Sequence, residues 1–258
     1  QTLNPHTDRV TGAIYSPDGR SILTFSSDST SRLWNFQAMD IPVWTFEGHT
    51  SGVNRAAFSL DGLSIVSASE DGSIRIWTIG TSDDSIDVLD RRDTQLNHTT
   101  FSPNGRFLLI AGNDGIVQMW DMQTRNLVHS LTGHQSYVSH VAFSPNGQFI
   151  LTASGDGTAR IWEAATGEFI RSLEGHTAYL NSAVYSPDGT TILTASGDGT
   201  SRVWDANSGA LIRVLDRDTD SVNDAVYRPG GSYIVTAASD STAHIWDLGA
   251  EGVLVRRL

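Results

Sequence analysis

The chain has 258 residues, 39% of them hydrophobic, and a formal net charge of −12 from 29 acidic and 17 basic residues. That length and composition can bury a sizeable core. It contains no cysteine and no lysine, all 17 basic residues being arginine, which excludes disulfides, thiolate chemistry, zinc-cysteine centres, lysine Schiff bases and P-loop phosphate binding on residue inventory alone.

The acidic balance also argues against nucleic acid, because binding a phosphate backbone needs clustered cations. A basic protein or peptide partner fits better. No run of the sequence approaches the roughly 18 apolar residues of a membrane span, so no membrane partner is expected, and the expected location is cytoplasmic.

In chain order, six tryptophans mark six copies of one unit. Trp34, Trp77, Trp120, Trp162, Trp204 and Trp246 recur at spacings of 43, 43, 42, 42 and 42 residues, each closing a short run of alternating apolar residues. A period near 42 is that of a four-stranded sheet repeated along the chain. The first unit runs from Pro5-His6 to Trp34-Asn35, and the run behind it carries Trp44 among Ile41, Val43 and Phe46. Trp44 is expected to pack between sheets. The second unit runs from Gly48-His49 to Trp77-Thr78 and the third from Arg91-Arg92 to Trp120-Asp121.

The fourth unit displays the pattern most fully. Val138 to Phe143, Phe149 to Ala153 and Ala159 to Trp162 alternate as strands, separated by Ser144-Pro145-Asn146-Gly147 and by Ser154-Gly155-Asp156-Gly157-Thr158. Proline's fixed φ and glycine's freedom at positive φ make the first turn tight, and Asp-Gly marks the second as a hairpin. Neither leaves room for a helix. A further run, Glu168 to Leu173, reads as an edge strand. The fifth unit spans Gly175-His176 to Trp204-Asp205, and the sixth Arg217-Asp218 to Trp246-Asp247.

From Gly-His to Trp-Asp these residues resemble a repeat of the WD-repeat β-propeller family, and six copies in register extend the resemblance over essentially the whole chain. It implies an all-β fold: a β-propeller of six four-stranded antiparallel blades, or seven if a blade is missing from this sequence. It further implies one domain over residues 1–258 of a longer protein, with other domains beside it. The implied role is a non-enzymatic scaffold or sensor module, binding a protein or peptide on its top face and requiring no cofactor or metal. Leu3 and Leu258 share one repeat position, so the chain holds an integer number of repeats, with Val253 to Leu258 completing the sixth.

Four units contain a histidine, a hydroxyl and an aspartate at matching offsets: His6, Thr24 and Asp28; His49, Ser67 and Asp71; His134, Thr152 and Asp156; His176, Thr194 and Asp198. The sixth offers Thr236 with Asp240. Such sets suit nucleophilic catalysis. Repetition decides otherwise, since an active site is needed once and a stabilising device in every blade. The resemblance implies a buried network joining each set to Trp34, Trp77, Trp162 or Trp204, with about 1 to 3 kcal/mol lost if one member is removed. The third unit loses the histidine to Arg92 and the hydroxyl to Ile110 together, as an interdependent network predicts. The Asp-Gly turns offer one carboxylate each, far short of a calcium shell. Asn97-His98-Thr99 matches a glycosylation acceptor but falls on a predicted strand.

Carried over by position, the partner-facing places are three and five residues after the histidine slot and one before the turn aspartate. Among them are Arg9, Gly52, Glu70, Gln95, Tyr137 and Tyr179. Tyr137 and Tyr179, flanked by Gly155 and Gly197, should form an aromatic ledge with open space beside it. Asn54, Asn97, Asn181 and Asn223 share one position and should present a ring of amides to a peptide backbone or to sugar hydroxyls, so a glycan is the alternative ligand. One residue further on, Arg55, His98, His140 and Asp224 face the channel if strand parity holds. They are the only clustered candidates for an enzyme at the channel mouth, and two histidines are too few for a metal site.

Overall fold

A computed structural model describes residues 6–36, 42–80, 87–216, 218–249 and 253–257. Leu3, Pro5, Ile41, Arg217 and Leu258 lie outside these. Among the described residues there is no helix, and the strands form six four-stranded sheets, each with its strands in chain order.

The first sheet holds Val10–Tyr15, Ser21–Ser26, Ser31–Asn35 and Trp44–Phe46; the second Val53–Phe58, Ser64–Ser69, Ser73–Thr78 and Asp87–Arg91; the third Leu96–Phe101, Phe107–Gly112, Val117–Asp121 and Asn126–Leu131. The fourth holds Val138–Phe143, Phe149–Ser154, Ala159–Glu163 and Phe169–Leu173; the fifth Leu180–Tyr185, Thr191–Ser196, Ser201–Asp205 and Leu211–Leu215; the sixth Val222–Tyr227, Tyr233–Ala238, Ala243–Asp247 and Val253–Arg257. The chain groups into two compact units, residues 1–114 with 119–128, and residues 115–118 with 129–258.

In the first unit Leu23, Phe25, Leu33 and Phe46 of the first sheet pack on Val53, Ile65 and Trp77 of the second, and Trp44 lies against this cluster. In the second unit Leu151, Ile161 and Leu173 meet Leu180, Ile192 and Trp204, and Leu193, Val203 and Leu215 meet Val222, Ile234 and Trp246. A sheet packed on both faces needs apolar residues on both sides of its middle strands. Phe149–Ser154 accordingly reads FILTAS and is buried from its second residue to its last. Phe169–Leu173 is exposed at its start and partly exposed midway, as an edge strand should be. Full burial of each large aliphatic side chain contributes about 1.5 to 3 kcal/mol.

The first strands are not regular. The register slips between Val10 and Gly12, Val53 and Arg55, Val138 and His140, Leu180 and Ser182, and Val222 and Asp224, with a matching slip in the third sheet. Each slip is a β-bulge that leaves one residue out of the ladder. The extruded residues are Thr11, Asn54, Asn97, Ser139, Asn181 and Asn223.

Candidate functional site

The four histidine sets form one repeated arrangement. His134 Nδ1 lies 2.8 Å from Asp156 Oδ2, His134 Nε2 lies 2.7 Å from Thr152 Oγ1, and Trp162 Nε1 donates to the same hydroxyl at 3.1 Å. His6, His49 and His176 stand equivalently to Asp28 and Thr24, Asp71 and Ser67, and Asp198 and Thr194, at 2.7 to 3.0 Å. Trp34, Trp77 and Trp204 complete these sets. One protonation pattern satisfies every group: the indole donates to the hydroxyl, the hydroxyl to Nε2, and Nδ1–H to the carboxylate.

The charges agree with that pattern. Burial pushes the His49, His134 and His176 pKa values down, outweighing the attraction of their aspartates, so the imidazoles are neutral. Burial opposes the Asp156 carboxylate, but donors from Thr158, the Gln135 amide and His134 outweigh it and hold its pKa at about 2. Asp198 has the same balance and is also at about 2, with Thr200, the Thr177 amide and His176 as its donors. Both oxygens of this turn carboxylate are thus engaged within the protein.

The third and sixth sheets solve the same problem differently. In the third, Arg92 forms an ion pair with Asp114, and Ile110 is fully buried where the hydroxyl stands elsewhere. In the sixth, Thr236 Oγ1 donates to Asp218 Oδ2 at 3.2 Å rather than associating with Asp240. His244 Nδ1 lies 2.6 Å from Asp218 Oδ1, and Trp246 donates to Thr236 at 3.2 Å. Asp240 instead takes Thr219 and Thr242. An acid thus fills the histidine slot and a histidine fills the third-strand place of Arg202, while the turn aspartate is kept.

The tyrosine rim lies in the second unit. The expected open space beside it is absent: a Cβ on Gly155 would stand 2.4 Å from Tyr137 Cε1, and one on Gly197 would stand 2.5 Å from Tyr179 Cζ. The rings lie on the glycines, which lack side chains so that aromatic carbon can occupy the space. Tyr179 is 41% exposed and Tyr137 half-buried. Burial, with a smaller contribution from the nearby Tyr179 phenol, raises the Tyr137 pKa. The Tyr179 hydroxyl reaches Ser221 Oγ at 3.5 Å.

The four asparagines do not present a common ring of amides, because they sit on the bulges. Asn54 Nδ2 donates to the Leu96 carbonyl, and Asn181 Nδ2 to the Val222 carbonyl, both at 2.8 Å in the following sheet. Thr11 and Ser139 make the same reach to Val53 and Leu180 at 2.5 and 2.6 Å. Asn97 donates to Asn113, which donates to Gln95, and Asn223 accepts from Ser239. Glu70 accepts from Ser51, Arg9 is exposed, and Gly52 is buried rather than partner-facing.

Of the residues assigned to a channel, Arg55 is half-buried with its guanidinium 5.9 Å from the Phe25 ring, and His98 is buried on its strand opposite Ala111. His140 is half-buried opposite Ala153, while Asp224 is exposed and accepts from the Ala225 amide. Among the described residues no three histidines or carboxylates gather into a metal-holding group.

The model of the WD domain, G-beta repeat, matches residues 1–35, 40–78, 125–163, 167–205 and 209–247, together well over half the chain. The chain is a WD-repeat protein. A second model, the anaphase-promoting complex subunit 4 WD40 domain, matches residues 75–138, which include the sheet where Arg92 and Ile110 replace the histidine and hydroxyl. No curated protein matches the chain. Its all-β sheets are blades of the propeller type, and WD-repeat domains are in general non-enzymatic modules that bind proteins or peptides. Among the described residues no helix is long and apolar enough to cross a membrane.

Two contributors to the WD-repeat blades escape a reading by histidine slot. His244 occupies the third-strand position of Arg202. Ser154 and Ser196, two residues before the turn aspartates, donate to the Tyr137 and Tyr179 carbonyls at 2.8 and 3.0 Å and accept the Asp156 and Asp198 amides. Their constant offset in four units was the available signal.

Proposed function

We propose that this WD-repeat chain is a non-enzymatic cytoplasmic scaffold whose second unit captures a protein or peptide partner on the rim formed by Tyr137 and Tyr179. The observation that carries this reading is the seating of two partly exposed aromatic rings on glycines, with the Tyr179 hydroxyl near that of Ser221. Rigid aromatic area with a polar tip is the composition of binding hot spots. The histidine sets are poor nucleophile candidates because Thr152 is 0% exposed and its oxygen already takes the Trp162 indole. The glycan alternative loses its main support with the amides of Asn54 and Asn181 engaged in neighbouring carbonyls.

The test is a displayed peptide library selected on the intact chain, followed by affinity measurement on Tyr137→Ala/Tyr179→Ala. Recovered peptides should weaken by at least about 30-fold at unchanged Tm. Peptides indifferent to the double substitution would move the site elsewhere.

A further inference from the structure

At the ends of the first strands away from the tyrosines, a cavity of about 240 Å³ opens between the fourth and fifth sheets. Phe149, Ile161, Ile170 and Tyr185 supply apolar lining, and Asp188 and Arg171 also border it. Its size is below that of a drug-sized pocket and suits one inserted side chain.

A cavity also opens between the fifth and sixth sheets, lined by Thr191 and Asp188, and one residue at the start of the second strand distinguishes the two. Tyr227, last in the first strand of the sixth sheet, has its hydroxyl 2.9 Å from Thr191 Oγ1, the first residue of the second strand of the fifth sheet. Tyr185 holds the corresponding place one sheet earlier, but the residue facing it is Phe149. Phenylalanine has no hydrogen-bonding group. The half-buried Tyr185 hydroxyl therefore has no hydrogen-bond partner among the described residues.

The charge at the rim is equally specific. Asp188 Oδ1 takes the Ser186 hydroxyl, the Thr190 amide and the Thr190 hydroxyl at 2.6, 3.0 and 2.9 Å, leaving Oδ2 unengaged among the described residues. The Ser186 hydroxyl, chiefly, holds this carboxyl below its ordinary range. Arg171 is near enough to Asp205 to help lower that carboxyl, behind the amide and hydroxyl of Ser208. The corresponding groove between the second and third sheets also holds a carboxylate and an aromatic ring, Asp61 and Phe101, and is bordered by two arginines, Arg106 and Arg125, where this cavity has one.

We propose that this cavity is a second binding site, taking the cationic side chain, lysine or arginine, of a basic peptide partner. The aliphatic stem lies on Phe149 and Tyr185, and the charged head reaches Asp188 Oδ2 and the Tyr185 hydroxyl. Aromatic faces attract cations, and the net charge of −12 raises the local concentration of basic partners. This site is independent of the Tyr137 and Tyr179 rim.

The test is an NMR titration of the ¹⁵N-labelled chain with n-butylammonium and n-propylguanidinium, using pentanoate as the anionic control of similar size. The amides of Asn146, Phe149, Tyr185, Asp188 and Gly189 should shift with one or both cations, at millimolar affinity. Pentanoate should bind at least about fivefold more weakly, and Asp188→Asn should weaken the cations about fivefold. Phe149→Thr, which gives Tyr185 the partner Thr191 gives Tyr227, should abolish the response. No shift at these amides, equal response to pentanoate, or unchanged cation affinity in Asp188→Asn overturns the proposal; the last variant alters a rim residue and decides the matter even if Phe149→Thr does not fold.

Discussion

His244 and Asp218 sit 2.6 Å apart in a rearranged version of the blade network, with an acid in the histidine slot and the histidine where the fifth sheet has Arg202. Both are buried. The histidine slot and its polar partner can thus be filled by other residue types while the indole-to-hydroxyl bond of this sheet, from Trp246 to Thr236, is kept.

That rearrangement gives the first prediction. His244→Ala leaves Asp218 as a buried carboxylate short of a partner and should cost about 3 kcal/mol or more in urea unfolding. Asp218→His alone should also destabilise, by crowding two imidazoles. The double variant Asp218→His/His244→Arg rebuilds the fifth-sheet set around Thr236 and Asp240 and should lie within about 1 kcal/mol of the unaltered chain. A double variant as unstable as the sum of the singles would refute the equivalence of the two arrangements.

Stability should depend on pH through the same network. The folded pKa values of His49, His134 and His176 lie below the ordinary 6.5, so the unfolded chain binds protons first. Their contribution is complete above about pH 7 and is lost as the pH falls below 6.5 toward the folded values. Asp28, Asp156 and Asp198, at about 2 against an ordinary 3.8, add a second loss in the same direction between those values. Thermal scans should show a flat Tm at neutral pH and two successive declines on acidification. His134→Gln should make the first decline shallower.

Gly155→Ala and Gly197→Ala should act on binding rather than folding. Neither glycine has a positive φ, but the added methyl would collide with the tyrosine ring. Lifting the rings should reduce affinity for peptides selected on the unaltered chain about tenfold, while stability changes by less than about 1 kcal/mol. Isothermal titration alongside urea unfolding separates the two effects; unchanged affinity would remove the rings from the binding surface.

Much of the fold is legible in the chain because its signals are local and repeated. The tryptophan period, the Ser-Pro-Asn-Gly turns and the Asp-Gly hairpins each specify structure over a few residues, and six copies reinforce one another. The functional surface is less legible because it depends on what lies opposite. Counting offsets from histidine treats the first strand as strictly alternating, whereas the bulge at Asn54 or Asn181 inserts a residue and turns the amide toward the next sheet. Gly155 reads as vacancy until the Tyr137 ring is seen lying on it. Phe149 reads as one more apolar residue, and only its position facing Tyr185 gives it meaning.

The bulge contacts also bear on how the chain is made. Thr11 and Asn54 find their carbonyl partners 42 residues later, and Ser139 and Asn181 find theirs 41 residues later. During synthesis, the donor on each of these first strands emerges before its acceptor, which lies about one repeat further along the chain. A nascent sheet can form its own ladder, but it reaches its final bonding only when the start of the next repeat has emerged.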